Sequence, residues 1–193
     1  MNTQPNLSFY KINESYIESL QIIDSDVRIS TGDKRTRPYI GIVLTIQDRL
    51  FFAPLSSPAK FPSTLDPHEL QIAKAKKYSI EKRRISIKVI SNKQVHLCNV
   101  IIGKIIPVPK SQITEISIND LLTSTISSKK KYGDLLQKEY YAINAMKDII
   151  YDKALRFYTK SLTNTLPKHN KTHCVNLQRA IAYHDSWIEE HMD

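Results

Sequence analysis

The stretch "RLFFAPLSSPAKF", Arg49 to Phe61, sets two adjacent hydroxyls, Ser56 and Ser57, between an apolar run and Pro58, with Lys60 close behind. Hydroxyls beside a cation can polarise a phosphate or assist a proton transfer. The same residues also suit an ordinary turn, because Pro54 and Pro58 punctuate the run and serine is a common turn former. Further cations stand in three clusters: Lys34-Arg35-Thr36-Arg37, Lys82-Arg83-Arg84 and Lys129-Lys130-Lys131. Most charge runs are only solvated faces. Here 28 Lys and Arg outweigh 19 Asp and Glu, for a formal charge of +9, which puts nucleic-acid binding on an equal footing with that bland reading. Ten tyrosines add possible stacking surfaces for bases. Of these, Tyr140, Tyr141 and Tyr151 read first as core or helix-surface residues, and Tyr16 suits the apolar stripe of a short helix.

Other chemistries find little support. Four glycines form neither GxxxxGK nor GxGxxG, so no ATP- or NAD-driven reaction and no cofactor are expected. His169, His173 and Cys174 lie together, with His184 and His191 downstream, but the stretch reads as loop and no second ligand pair completes a zinc set. The strands carry almost no acids for a two-metal nuclease. Ser56 and Ser57 lack the GxSxG turn of a hydrolase, and His68 with Glu69 is the only nearby histidine–carboxylate pair. What remains is metal-free chemistry by hydroxyls and cations. RNA suits it, since the 2′-OH is a built-in nucleophile. The protein then has to accept that proton, stabilise the charged phosphorane and protonate the leaving 5′ oxygen.

The elements that must position these groups follow an α+β order. One domain over 1–193 is expected, with a β-rich core at about 8–118 and a helical region at about 119–193. Leu7–Ile12 reads as a strand, with Asn13 capping a helix from Glu14 to about Ile23. Tyr39–Ile46 is an apolar, β-branched run that predicts a strand covered on both faces. Gln47-Asp48 turns it into a strand over Arg49–Ala53, ended by Pro54. Asp66 caps a helix over Pro67–Ser79, and "ISIKVI" alternates as a strand. "VHLCNVIIGKIIPVP" supplies one or two more strands, and "QITEISI" another. Asn119 or Asp120 caps a short helix, one long helix runs from about Lys129 to Leu162, and a last one from Val175 to His191. No apolar run approaches the ~18 residues of a membrane span, and the N-terminus does not read as a signal peptide. Cys98 and Cys174 make no disulfide framework, so a cytoplasmic location is expected.

Several segments together resemble the ToxN/AbiQ family, the endoribonuclease toxins of type III toxin–antitoxin systems. "FYKINESYIESL" resembles that family's opening strand and helix, and "RPYIGIVLTIQDRLFFAPLSSPAKF" its (F/Y)IGIVL strand and APL(T/S)SPK turn. "IIPVPKSQITEISINDL", "YGDLLQKEYYAINAMKDIIYDKA" and "CVNLQRAIAYHDSW" resemble its MIPV segment, long helix and short Cys-containing helix, all in the same order. The resemblance implies a twisted antiparallel β core like that of the Kid/MazF toxins, decorated with helices. It implies metal-independent cleavage to 2′,3′-cyclic phosphate and 5′-OH ends, acting on cellular or phage RNA. It also implies inhibition by a repeated, pseudoknotted antitoxin RNA that the toxin processes, in a cyclic protein–RNA assembly, and a part in aborting phage infection.

By the same resemblance, the hydroxyl pair falls on Ser56 and Ser57, the first-helix tyrosine on Tyr16 and the basic residue before the (F/Y)IGIVL strand on Arg37. Ser57 with Ser56 would act on the scissile phosphate, Lys60 and Arg37 would stabilise its charge, and Tyr16 would orient substrate. Lys34, Arg35, Lys82, Arg83, Arg84, Lys129, Lys130 and Lys131 would bind RNA. The family's lysine usually follows the SP dipeptide directly, whereas Ala59 stands there and the lysine is Lys60. Residues 62–84 match poorly. The rival is a non-catalytic RNA- or DNA-binding module, for which the SSP turn is mere punctuation. A membrane-surface protein is a distant third, because neither long helix shows a basic polar face.

Overall fold

The computed structural model describes residues 6–27 and 40–191, with the backbone alone at Ile40. Its strands are β1 (Phe9–Ile12), β2 (Ile40–Ile46), β3 (Arg49–Ser56), β4 (Ser86–Ile90), β5 (His96–Ile101), β6 (Ile106–Pro107) and β7 (Ile113–Glu115). They pair antiparallel in the order β4-β5-β3-β2-β1-β7, and β6 also lies on β3. The helices are α1 (Glu14–Ile23), α2 (Pro67–Arg83), α3 (Ile118–Leu122), α4 (Ser127–Ala145), α5 (Lys147–Leu162), α6 (Lys168–Lys171) and α7 (Leu177–His191). The α+β order expected from the sequence is therefore the fold observed.

The β2–β3 hairpin organises the sheet. Gln47 and Asp48 both take left-handed φ, 47° and 64°, as a two-residue I′-type turn requires. Neither is the favoured residue for that turn, but Gln47 also makes a tertiary contact, its Oε1 accepting the Tyr158 hydroxyl at 2.9 Å. Beside the turn, the Arg49 guanidinium donates to Asp185 and approaches His184 Nδ1, tying the hairpin to α7. The Arg49 contact, above all, holds the Asp185 carboxyl below its usual range. Gly41 lies opposite Pro54, and a Cβ there would meet the Ala53 carbonyl oxygen at 2.3 Å and the Phe52 ring at 2.6 Å. Only glycine lets these strands approach so closely.

Alternation along β1, β2 and β3 sends Phe9, Ile42, Leu44, Ile46 and Phe51 into the core. There they join Tyr16, Ile17 and Leu20 of α1, Ile150 and Phe157 of α5, and Leu177 and Ala180 of α7. Lys104, buried between β5 and β6, is held by Asp26 at 2.5 Å.

Five local expectations are corrected. β2 is not covered evenly on both faces, because Val43 is half-buried and Thr45 exposed. β3 does not end before Pro54 but runs through it to Ser56. Pro54 sits where β3 changes neighbours, after Phe51 and Phe52 pair with β6 and before Leu55 and Ser56 pair with β5. α2 continues past Ser79 to Arg83, so Lys82 and Arg83 close a helix rather than fill a loop. Its start is as read, with Asp66 and Glu69 forming a reciprocal capping box. Ser117, not Asn119 or Asp120, caps α3 by accepting from the Asp120 N–H. Finally, the single long helix is two, α4 and α5, broken at Met146 with φ −111° and ψ 9°. Beside the break, the Asn144 amide clasps both backbone groups of Leu7, at 2.7 and 3.0 Å.

Candidate active site

The hydroxyl pair sits where β3 runs out. Ser56 is the last residue of the strand and half-buried, whereas Ser57 opens the following loop and is exposed. Lys60, three residues on in the same loop, is also exposed. β3 thus delivers two hydroxyls to the surface from a rigid strand, whose residues Phe51 to Ala53 are wholly buried. The lysine follows on a short proline-containing tether.

Across the sheet, Ser56 pairs with Asn99 of β5, and Asn99 pairs with Lys88 of β4. Register partners share a face, so Ser56, Asn99 and Lys88 form one row over three strands. Asn99 is almost fully buried, and its Nδ2 donates to Ser56 Oγ at 3.5 Å. Its Oδ1 lies 3.0 Å from His96 Nε2, which is also 3.1 Å from the Cys98 carbonyl oxygen. Lys88 is exposed. Sequence reasoning missed all three residues. Lys88 was visible only as a polar position of an alternating strand. Asn99 and His96 were hidden because neither type announces a site and their partner is 43 positions away for Asn99.

The other expected residues are spread out. Lys34, Arg35 and Arg37 lie outside the described residues. Tyr16 is a core residue: it is 2 % exposed, donates its hydroxyl to the Pro107 carbonyl oxygen at 2.9 Å, and packs against Tyr183 and Trp187. Burial, above all, raises its phenol pKa, so in this conformation it anchors α1 to β6 and does not face a substrate. Lys82 and Arg83 are exposed at the end of α2, and Arg84 is its half-buried C-cap. The carbonyl of Arg83 accepts from Asn170 Nδ2 at 2.9 Å, and that of Arg84 from the Gly103 N–H at 2.9 Å. α2 has no buried residue, and Ile72 and Tyr78 stand exposed among its lysines. Lys129, Lys130 and Lys131 are exposed in the first turns of α4, where Lys129 lines an open cleft with Lys11, Glu115 and Asp120.

Both cysteines are free and buried. Burial raises the Cys98 thiol and pushes that of Cys174 up to about 12, so neither supplies a thiolate at neutral pH. Among the described residues, no three His, Cys, Asp or Glu side chains converge. His173 instead contacts the Thr172 hydroxyl at 2.8 Å. No described helix is long and apolar enough to cross a membrane.

Comparison with known proteins bears on the chain's family and fold. The endoribonuclease ToxN of Bacillus thuringiensis subsp. kurstaki is 23% identical over 171 residues, covering 89% of this chain and 77% of that protein. The endoribonuclease ToxN of Pectobacterium atrosepticum is 24% identical over 150 residues, 77% of each chain. The solved structure of AbiQ, a lactococcal anti-phage endoribonuclease of the type III toxin–antitoxin class, superimposes with a TM-score of 0.71 at 20% identity, covering 96% of this chain and 99% of that one. A type III toxin selectively inhibited by a non-coding RNA pseudoknot superimposes with a TM-score of 0.70 at 22% identity and the same coverage. The pattern of the family described as "Toxin ToxN, type III toxin-antitoxin system" matches residues 8–183, nearly the whole chain, and the protein belongs to that family.

Proposed function

We propose that this protein is the endoribonuclease toxin of a type III toxin–antitoxin system and cuts RNA at the end of β3. The observation that carries this reading is the family match over residues 8–183, combined with a paired-serine turn held out from a buried strand. Substrate phosphate lies over Ser56 and Ser57, whose hydroxyls donate to its non-bridging oxygens and assist proton transfer. Lys60, with Arg37, offsets the charge that builds on the phosphorane. The substrate's own 2′ oxygen attacks phosphorus and the 5′ oxygen leaves, giving 2′,3′-cyclic phosphate and 5′-OH ends without a metal. The exposed cations of α2 and α4 hold RNA flanking the cut.

The protein is cytoplasmic, and its inhibitor is a repeated, pseudoknotted RNA that it processes and with which it closes a cyclic assembly. Infecting phage RNA is a natural target. Expression without antitoxin tests the site. Ser57→Ala or Lys60→Ala abolishes growth arrest while the purified variants keep the wild-type melting temperature. Full toxicity in both variants would refute the assignment. EDTA leaves cleavage intact, and inhibition reversed by adding a divalent ion would rule out the metal-free mechanism.

A further inference from the structure

The Ser56–Asn99–His96 chain has a direction, and the direction gives each member its role. His96 Nε2 faces two carbonyl oxygens, Cys98 O at 3.1 Å and Asn99 Oδ1 at 3.0 Å. Both are acceptors, so Nε2 carries the hydrogen and donates. The backbone carbonyl cannot rotate, which fixes the ring, and the ring in turn fixes which end of the Asn99 amide faces it. Nδ2 is thereby directed at Ser56 Oγ, 3.5 Å away, and the serine oxygen is the acceptor. A hydroxyl that accepts from a buried amide keeps its own hydrogen for another partner. Ser56 stands half-exposed at the strand end, next to the loop that carries Ser57 and Lys60.

We propose that Asn99, oriented by His96, is a positioning residue that sets Ser56 as a hydrogen-bond donor to the scissile phosphate rather than as a proton acceptor. Proton removal from the 2′-OH then falls to a group other than Ser56. Two features favour a purpose beyond filling space. Asn99 is 1 % exposed on a strand whose neighbours are Cys98, Val100 and Ile101, where an apolar residue would pack without needing partners. It also stands in register with both Ser56 and the exposed Lys88, so the row ends in a cation on the same face. The bond to Ser56 is long in the free protein, as hydrogen bonds in unliganded sites often are before substrate draws them together.

This inference rests on the ribonuclease reading, and one experiment separates the two. The full-length chain and its variants are made by cell-free synthesis. Single-turnover cleavage of a labelled messenger-RNA transcript is followed, together with affinity for the same transcript carrying 2′-O-methyl groups. If the wild type binds and never cuts, the ribonuclease reading fails. If it cuts, Asn99→Asp lowers the cleavage rate about a hundredfold, the usual cost of losing one preorganised donor, because aspartate would take the Ser56 hydrogen for itself. Affinity for the methylated RNA stays within a few-fold. His96→Leu slows cleavage about tenfold, and His96→Gln, which can still donate, restores most of that loss. Should Asn99→Asp fold poorly, Ser56→Ala and Ser56→Ala/Asn99→Leu decide: the double variant cuts no more slowly than the single one if Asn99 acts through Ser56. Wild-type cleavage by Asn99→Asp, or losses that multiply in the double variant, overturns the assignment.

Discussion

Glu139 shows at the scale of one residue how burial becomes a pH dependence. Burial on the inner face of α4 pushes its carboxyl from an ordinary 4.5 up to about 7. The native protein therefore holds a proton that the unfolded chain has already lost between those values. Stability is complete below pH 4.5, declines as pH rises through the interval and levels off above 7, for a total of about 3 kcal/mol. Glu139→Gln removes this penalty. Its stability advantage over wild type, measured by urea unfolding, is small at pH 4.5 and grows towards that value at pH 8. An advantage independent of pH would contradict the assignment. Lys104 is the opposite case, an ammonium 4 % exposed and paired with a half-exposed Asp26. Asp26→Asn strands that charge and costs about 2–3 kcal/mol, seen as a lower denaturation midpoint.

Elements were legible in the sequence where local chemistry dictated them. Asn13 and Asp66 cap the helices they were expected to cap, and the β2–β3 turn falls at Gln47-Asp48. The errors arose where a distant partner decides the outcome. Pro54 is tolerated inside β3 because the strand exchanges β6 for β5 there, which no local pattern reveals. The α4–α5 break lies beside an asparagine engaged by a residue 137 positions away. Much the same holds for the candidate site: the serine turn was visible, while Asn99, His96 and Lys88 meet it only through strand register. α2 lacks any fully buried residue, so its caps contribute a larger share of its stability than they would in a helix packed into the core. Asp66→Ala, worth about 1 kcal/mol, lowers amide-exchange protection over residues 68–83 and leaves the global melting temperature nearly unchanged. Gly41→Ala does the reverse, lowering the melting temperature of the whole protein, because a Cβ would strike the Ala53 carbonyl in the central hairpin.

At the scale of the whole molecule, charge and site divide the work. On the proposed reading, a chain of net charge +9 gathers RNA over a broad surface, and the exposed lysines that open α4 and the basic end of α2 are the cations offered for it. RNA affinity should fall steeply with salt, by roughly 0.7 log units per tenfold salt for each phosphate neutralised. Replacing Lys129, Lys130 and Lys131 with glutamine flattens that slope and weakens binding, while the rate of cutting bound RNA changes little. A matching fall in the cutting rate would move these lysines from binding into catalysis.

In the proposed mechanism RNA is cut by its own 2′-OH at the serine turn. Its most direct test is end analysis of a labelled transcript incubated with the purified protein in EDTA. Wild type should leave 2′,3′-cyclic phosphate and 5′-OH ends, with no cleavage either by Ser57→Ala or of a 2′-O-methylated transcript. Cleavage of the methylated RNA, or 5′-phosphate ends, would contradict it.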